Sequence, residues 1–306
     1  MSVAPAVAAP AVSQRRRVTL HFRPGRTVLN VVLAVIAIVW LVPTIGLTVI
    51  SFRPEGLFNQ SGWWTVFTAP AQLTVQNYQA LLSQGLASGG LLDSLITSAV
   101  ITVPATVLVT GISSLAAYSL VFGRWPGRTP LFLVIVGLLV VPVQVALIPV
   151  SQLYKAFGSV TGFNPYGTVV GVVIFHVAFG LPFGIFLMRN FYSGIPVDLL
   201  EAARIDGAGE WTLFRRVVLP LGLPAAASLA IFQFIWVWND LLVALVFLAG
   251  NPHHTLTLFL YGQTRFFASN YWIISTGAMI SIVVPLIVFF AFQRYFVRGV
   301  LAGAVK

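Results

Sequence analysis

Seven carboxylates are all the acidic chemistry this chain has, and four of them, Asp198, Glu201, Asp206 and Glu210, fall inside Ile195–Pro220. Glu55, Asp93 and Asp240 are scattered elsewhere, so no two acids lie close together within an apolar run. General acid–base chemistry inside such runs is therefore poorly supported. A phosphate-cradling P-loop needs a glycine-rich turn and a lysine followed by Ser or Thr. Lys155 is followed by Ala156, and Lys306 ends the sequence, so the chain has no ATPase site of the usual kind. H-E-x-x-H and G-x-S-x-G are both absent, and with no cysteine there are no disulfides, thiolate zinc sites or cysteine nucleophiles. No catalytic residues, resident cofactor or metal are expected. What remains is a polar stretch built for docking and a few polar residues inside apolar segments.

Asp240 stands out among the latter, because an aspartate at a bilayer centre costs ~2.5–3.5 kcal/mol on insertion scales and is a functional candidate by default. Asn239 adjoins it, Trp236 is a helical neighbour of both, and Gln233 falls near the same face. An indole beside hydroxyl-seeking polar groups is a surface on which a sugar can lie. The alternative is that Asn239 and Asp240 tie their helix to neighbouring helices by hydrogen bonds. Gln144 is a further pathway candidate. His176, without a visible second ligand, reads as a satisfied core histidine, and His253-His254 has too few partners for a metal site.

These residues must be held by membrane helices. The chain is 58% hydrophobic and only 8% charged, against about a quarter charged in soluble domains. Apolar runs long enough to cross, at ~20 residues each, occur at about 28–50, 92–122, 131–153, 168–188, 221–249 and 273–292. The expected fold is all-α and polytopic with six spans: a basic tail at 1–27, disordered over Met1–Gln14, a transmembrane domain at 28–292, and a C-terminal tail at 293–306. Val28–Ile50 is too long for a signal core and lacks a small-residue cleavage site, so it reads as an uncleaved first span. Between the first two spans, Ser51–Leu91 is a polar excursion carrying Trp63, Trp64 and Tyr78, rings suited to the interface.

The net charge of +10 comes from basic residues at span boundaries rather than one stripe, which argues for topology and against nucleic acid. With the N-terminus inside, 14 of the 17 Lys and Arg fall on inner segments, leaving Arg53, Lys155 and Arg265 outside. The positive-inside rule then places both termini and Ile195–Pro220 in the cytoplasm. Within that stretch Pro196 suits a first helical position, and Leu199, Leu200 and Ala203 can share a face. Asp206-Gly207 followed by Gly209 stops the helix. A second short helix restarts near Glu210, with Trp211, Phe214, Val217 and Val218 at helical spacing, and Pro220 closes it.

Glu201-Ala202-Ala203, then Gly207, then Val217, Leu219 and Pro220 resemble the EAA loop of ABC-importer permeases, with Val217 the one departure where that pattern has isoleucine. Trp238–Leu245 and the C-terminal run Gln293–Lys306 are similar to the carbohydrate branch, in particular the maltose-type second permease subunit. Pro142–Pro149 resembles α-glucoside members. The resemblance covers Val28 onwards. It implies the type I importer permease fold and a sugar importer, working by alternating access in a bacterial cytoplasmic membrane. It also implies that Glu201, Ala202, Ala203, Gly207, Leu219 and Pro220 form the element that docks on a separate ATPase. The implied partners are a second permease subunit, two copies of an ATP-binding subunit that hold ATP and magnesium, an extracytoplasmic sugar-binding protein, the sugar and membrane lipid. The binding protein should dock near the outer loop Gly250–Trp272. A permease for another solute such as glycerol phosphate, or a secondary transporter, are the alternative readings.

Overall fold

A computed structural model describes residues 24–304 except Ala87, without side-chain detail for 24–27, 266–269 and 294–304. The N-terminal tail up to Arg23, with the disorder expected of it, and Lys306 lie outside the described residues. The chain divides into two units, Met1–Ile45 and Gly46–Lys306. The first holds most of α1 (Pro24–Ser51), an apolar helix of membrane-crossing length.

The second unit consists of helices joined by turns and loops, with no strand among its described residues. Three short 3-10 turns at Glu55–Leu57, Trp63–Phe67 and Pro70–Gln72 precede α2 (Gln76–Ser83) and α3 (Leu91–Phe122). Then come α4 (Arg128–Leu138), α5 (Val143–Thr161) and α6 (Val169–Tyr192), followed by α7 (Val197–Ile205) and α8 (Glu210–Leu213). A π turn at Phe214–Val218 leads into α9 (Leu219–Trp238), and α10 (Leu242–Phe247), α11 (Leu256–Gln263) and α12 (Phe267–Ala304) complete the chain.

Three of the expected spans differ from their sequence outlines. The third, 131–153, is not one helix: α4 and α5 meet at an angle of 102°. Pro142 lies at the break, has no N–H to donate, and disfavours helix at Val141 before it. The fifth, 221–249, stops at Trp238. Asn239 Nδ2 donates to the Ile235 carbonyl at 2.8 Å and Asp240 Oδ1 accepts the Val243 N–H at 2.9 Å. The Ile235 carbonyl, which also accepts the Asn239 N–H, is thus shared at the end of α9, while the Asp240 side chain satisfies an orphan N–H at the start of α10. The sixth continues as helix to Ala304, through the boundary at 293 where a tail was expected.

Small residues bring α3 and α6 together. A side chain at Gly184 would collide with Ser113 Oγ, and one at Gly180 would lie 2.7 Å from Gln233 Nε2 and 2.9 Å from Val109. Gly180 and Gly184 are spaced as in the G-x-x-x-G motif, which lets helix backbones approach where lipid supplies no hydrophobic drive. Ala117, Met188, Tyr192, Leu200, Val218 and Leu229 form a buried cluster at the end of the bundle that holds α7. A second cluster joins Ile101, Tyr154, Phe175 and Phe247.

Candidate functional site

The acidic stretch forms two short helices hinged at glycine. Gly207 has φ +84°, a conformation glycine adopts without steric cost. Its N–H donates to the Arg204 carbonyl, and the Ala208 N–H reaches back to the Ala203 carbonyl, each at 3.0 Å. This nested pair is a Schellman end to α7. Leu200, fully buried, anchors α7 to the bundle, worth about 1.5–3 kcal/mol. Leu199, expected on the same face, is exposed, and Ala203 is half-buried.

Beyond the hinge, Glu210 opens α8 and holds the loop in place. Arg204 Nη2 donates to its Oε1 at 3.1 Å, and the Tyr118 hydroxyl of α3 donates to its Oε2. Arg204 therefore pairs across the bend and not with Glu201 on its own helix. Glu201 is exposed and has no ion-pair partner among the described residues. Ala202 is exposed beside it, and Ile205 and Trp211 stand 87% and 64% open, a large apolar surface for a polar loop. Pro220 does not close the second helix. Helix runs on from Glu210 to Trp238, with the wider π turn just before the prolyl residue absorbing its missing N–H. Leu219, half-buried, and Pro220, exposed, begin α9.

Four of the five pathway candidates line one cavity of about 580 Å³: Gln144 from α5, Trp236 from α9, and Asn239 and Asp240 from the break after it. Gln233 does not join them. It is buried, its Nε2 has no hydrogen-bond partner, and it lines a neighbouring apolar cavity of about 550 Å³ bounded by α4, α6 and α9. Trp236 lines both. His176 lies in the core as expected, but it is not fully satisfied there, and the tie to neighbouring helices by hydrogen bonds of the Asn239 and Asp240 side chains does not hold as stated. Those two side chains bond locally. His176 is buried with an unpartnered Nδ1, its ring edge-on to Trp236 at 5.8 Å and its Nε2 3.9 Å from Asp240 Oδ1. That spacing is too long for a hydrogen bond.

His253 also finds a partner. Its Nδ1 lies 2.8 Å from Asp93 Oδ1, and Asp93 Oδ2 accepts the Gly89 N–H, which ties the loop after α10 to the start of α3. No three potential metal ligands cluster among the described residues. Sequence reasoning missed Tyr118, the Arg204–Glu210 pair and the His176–Asp240 approach, because each joins residues from different elements or across a turn. The G-x-x-x-G spacing in α6 was the one local signal available.

A family model described as "Binding-protein-dependent transport system inner membrane component" matches residues 96–302, more than half of the chain. The chain belongs to that family. It is a multi-pass membrane permease component of an ABC importer. An "Osmoprotective compounds uptake permease protein GgtD" from Synechocystis sp. is 44% identical over 279 residues, 91% of each chain. An "Alpha-glucoside transport system permease protein AglG" from Rhizobium meliloti is 46% identical over 83% of this permease and 66% of its own length. Among solved structures, the permease superposes on a chain of a bacterial ABC transporter involved in the import of alginate. The TM-score is 0.73 at 23% identity, covering 90% of this permease and 97% of that chain, which shows a shared fold.

Proposed function

We propose that this permease translocates a sugar, of the α-glucoside or oligosaccharide class, by alternating access driven by two ATP-binding subunits, beside a second permease subunit. The observation that carries the coupling role is the exposed Glu201–Ala202 surface with Ile205 and Trp211 next to it, on a loop clamped to the bundle through Leu200 and Glu210. A rigid arm presenting an unpaired carboxylate and bare apolar side chains suits a cleft on a soluble motor: the alanine admits close approach and Glu201 takes a basic partner. ATP and magnesium belong to those subunits. An extracytoplasmic sugar-binding protein delivers the solute, and both termini face the cytoplasm of a bacterial cell.

The cavity supports the choice of solute. Trp236 supplies a flat apolar face, while Gln144, Asn239 and Asp240 supply hydroxyl partners. Its lining contains a carboxylate and no cation, which suits a neutral sugar better than glycerol phosphate. The α-glucoside name of one relative agrees with this class.

The test is a gentle-detergent pull-down through a tag ahead of Arg15, followed by uptake of labelled α-glucosides, an osmoprotectant and glycerol phosphate. Recovery of an ATP-binding subunit and a second permease, with ATP-dependent sugar uptake, is expected. A chain that emerges alone and transports in vesicles without ATP overturns the proposal and restores the secondary-carrier reading.

A further inference from the structure

At the same end of the bundle as the hinged loop, a cleft of about 200 Å³ lies between the last turns of α3 and α6 and the first turn of α4. Two arginines line it, Arg128 and Arg189, together with Thr129, Ser193 and Phe132. Neither arginine has a carboxylate partner among the described residues. The Arg128 Nη1 donates to the carbonyls of Val121 at 3.2 Å and Gly123 at 2.7 Å, which fixes the side chain while leaving the rest of its donor fork unused. The Arg189 guanidinium lies over the Phe132 ring at 4.2 Å, and its Nε is shielded from solvent with no hydrogen-bond acceptor. Two like charges converging on one cleft repel each other unless an anion sits between them.

The surrounding backbone adds to the pull. The first turn of α4 contains no acidic residue, and Gly127 offers no side-chain cap to its amides. A bare helix N-terminus carries partial positive charge that favours an anion. Planar guanidinium forks match the oxygens of a phosphate. Leu131, Leu133 and Val134 on α4 are all exposed, giving an apolar flank beside the cleft for acyl chains to follow.

We propose that this cleft binds a phosphate group, supplied by the headgroup of an anionic phospholipid of the inner leaflet, between Arg128 and Arg189. The inner-leaflet assignment rests on the orientation proposed above. Basic pockets between transmembrane helices on the cytoplasmic side are suited to such headgroups. An occupant there bridges α3, α4 and α6 just where the broken α4–α5 pair begins.

The test uses the assembled transporter, purified in mild detergent and examined by native mass spectrometry with added phosphatidylglycerol or phosphatidylcholine. Arg128→Gln/Arg189→Gln removes the charges. Thr129→Asp places a carboxylate in the cleft at a helix first turn that favours acids, so this variant stays folded. Wild-type complex is expected to retain phosphatidylglycerol in preference to phosphatidylcholine, and each variant to weaken that retention about tenfold, with ATP-binding subunits still attached. Equal retention of the two lipids, or retention unchanged in both variants, overturns the site. Displacement of phosphatidylglycerol by low-millimolar inorganic phosphate overturns the lipid as its source. Lipid retention is read without any transport assay, so its failure is distinct from failure of the sugar reading.

Discussion

Arg204 reaches across the Gly207 bend to Glu210, with Nη2 3.1 Å from Oε1, so the two halves of the hinged loop are fastened to each other. Tyr118 fastens the same carboxylate to α3. In the coupling role proposed above, such a loop would pass a push from its tip to the bundle as a lever, instead of flexing at the glycine. Glu210 is largely open to water and Arg204 partly so, and a pair reached by solvent in this way contributes only about 0–1 kcal/mol. The role of this pair is to set geometry rather than to stabilise the fold.

Glu201→Lys should leave folding alone and abolish coupling. The residue is exposed and unpaired, so the change in stability should stay within about 0.5 kcal/mol. Charge reversal against a basic partner surface costs several kcal/mol, and each ~1.4 kcal/mol is tenfold in binding. Co-purification of the ATP-binding subunits and solute uptake should both collapse while membrane insertion remains normal. Undiminished uptake would remove Glu201 from the docking surface.

Gly207→Ala and Gly207→Asp separate backbone from contact. No atom lies within 4 Å of a side chain placed there, so inside this chain both variants meet only the left-handed φ, at about 1–2 kcal/mol. Asp should lose uptake far more completely than Ala if a partner packs against the bend. Equal losses in the two variants would assign the whole effect to the hinge itself.

Tyr118→Phe and Glu210→Gln test the lever. Each should cost no more than about 1.5 kcal/mol in thermal unfolding. Each should also lower solute moved per ATP hydrolysed, since a loosened loop lets the motor turn without moving the helices. Uptake and ATPase rates measured together in proteoliposomes would show this as a changed ratio, and an unchanged ratio would make the bonds ornamental.

Asp240→Asn and Asp240→Ala divide structure from pathway. The asparagine retains an oxygen for the Val243 N–H, whereas alanine loses that cap at a cost of about 0.5–2 kcal/mol. Asn should therefore fold like the parent yet show altered uptake kinetics among sugars. Uptake damaged by Ala alone would reduce Asp240 to a helix cap.

Gly184→Val addresses the bundle. The new side chain must displace Ser113, whose Oγ occupies the place of the first added carbon. Overpacking of this kind costs about 1–3 kcal/mol, and the melting temperature of the purified transporter should fall accordingly. An unchanged melting point would mean that α3 and α6 can separate without loss.

What the sequence determined by itself was whatever depends on local chemistry. Apolar runs of crossing length gave the helical membrane class. Gly207 announced the bend because only glycine takes a positive φ without strain, and the spacing from Glu201 to Pro220 carried the family resemblance. Tertiary structure decided matters that turn on which distant groups meet. Pro142 and the Asn239-Asp240 pair looked like features within spans. They are breaks, because Pro142 has no N–H to give and the Asp240 carboxylate takes the Val243 N–H that a continuing helix would have used. Pro220 looked like a stop, yet helix continues through it because a π turn makes room. The partner of Arg204, the gathering of Gln144 with Asp240 in one cavity, and the convergence of Arg128 and Arg189 depend on helix packing and chain reversal. No periodicity in a single segment encodes them.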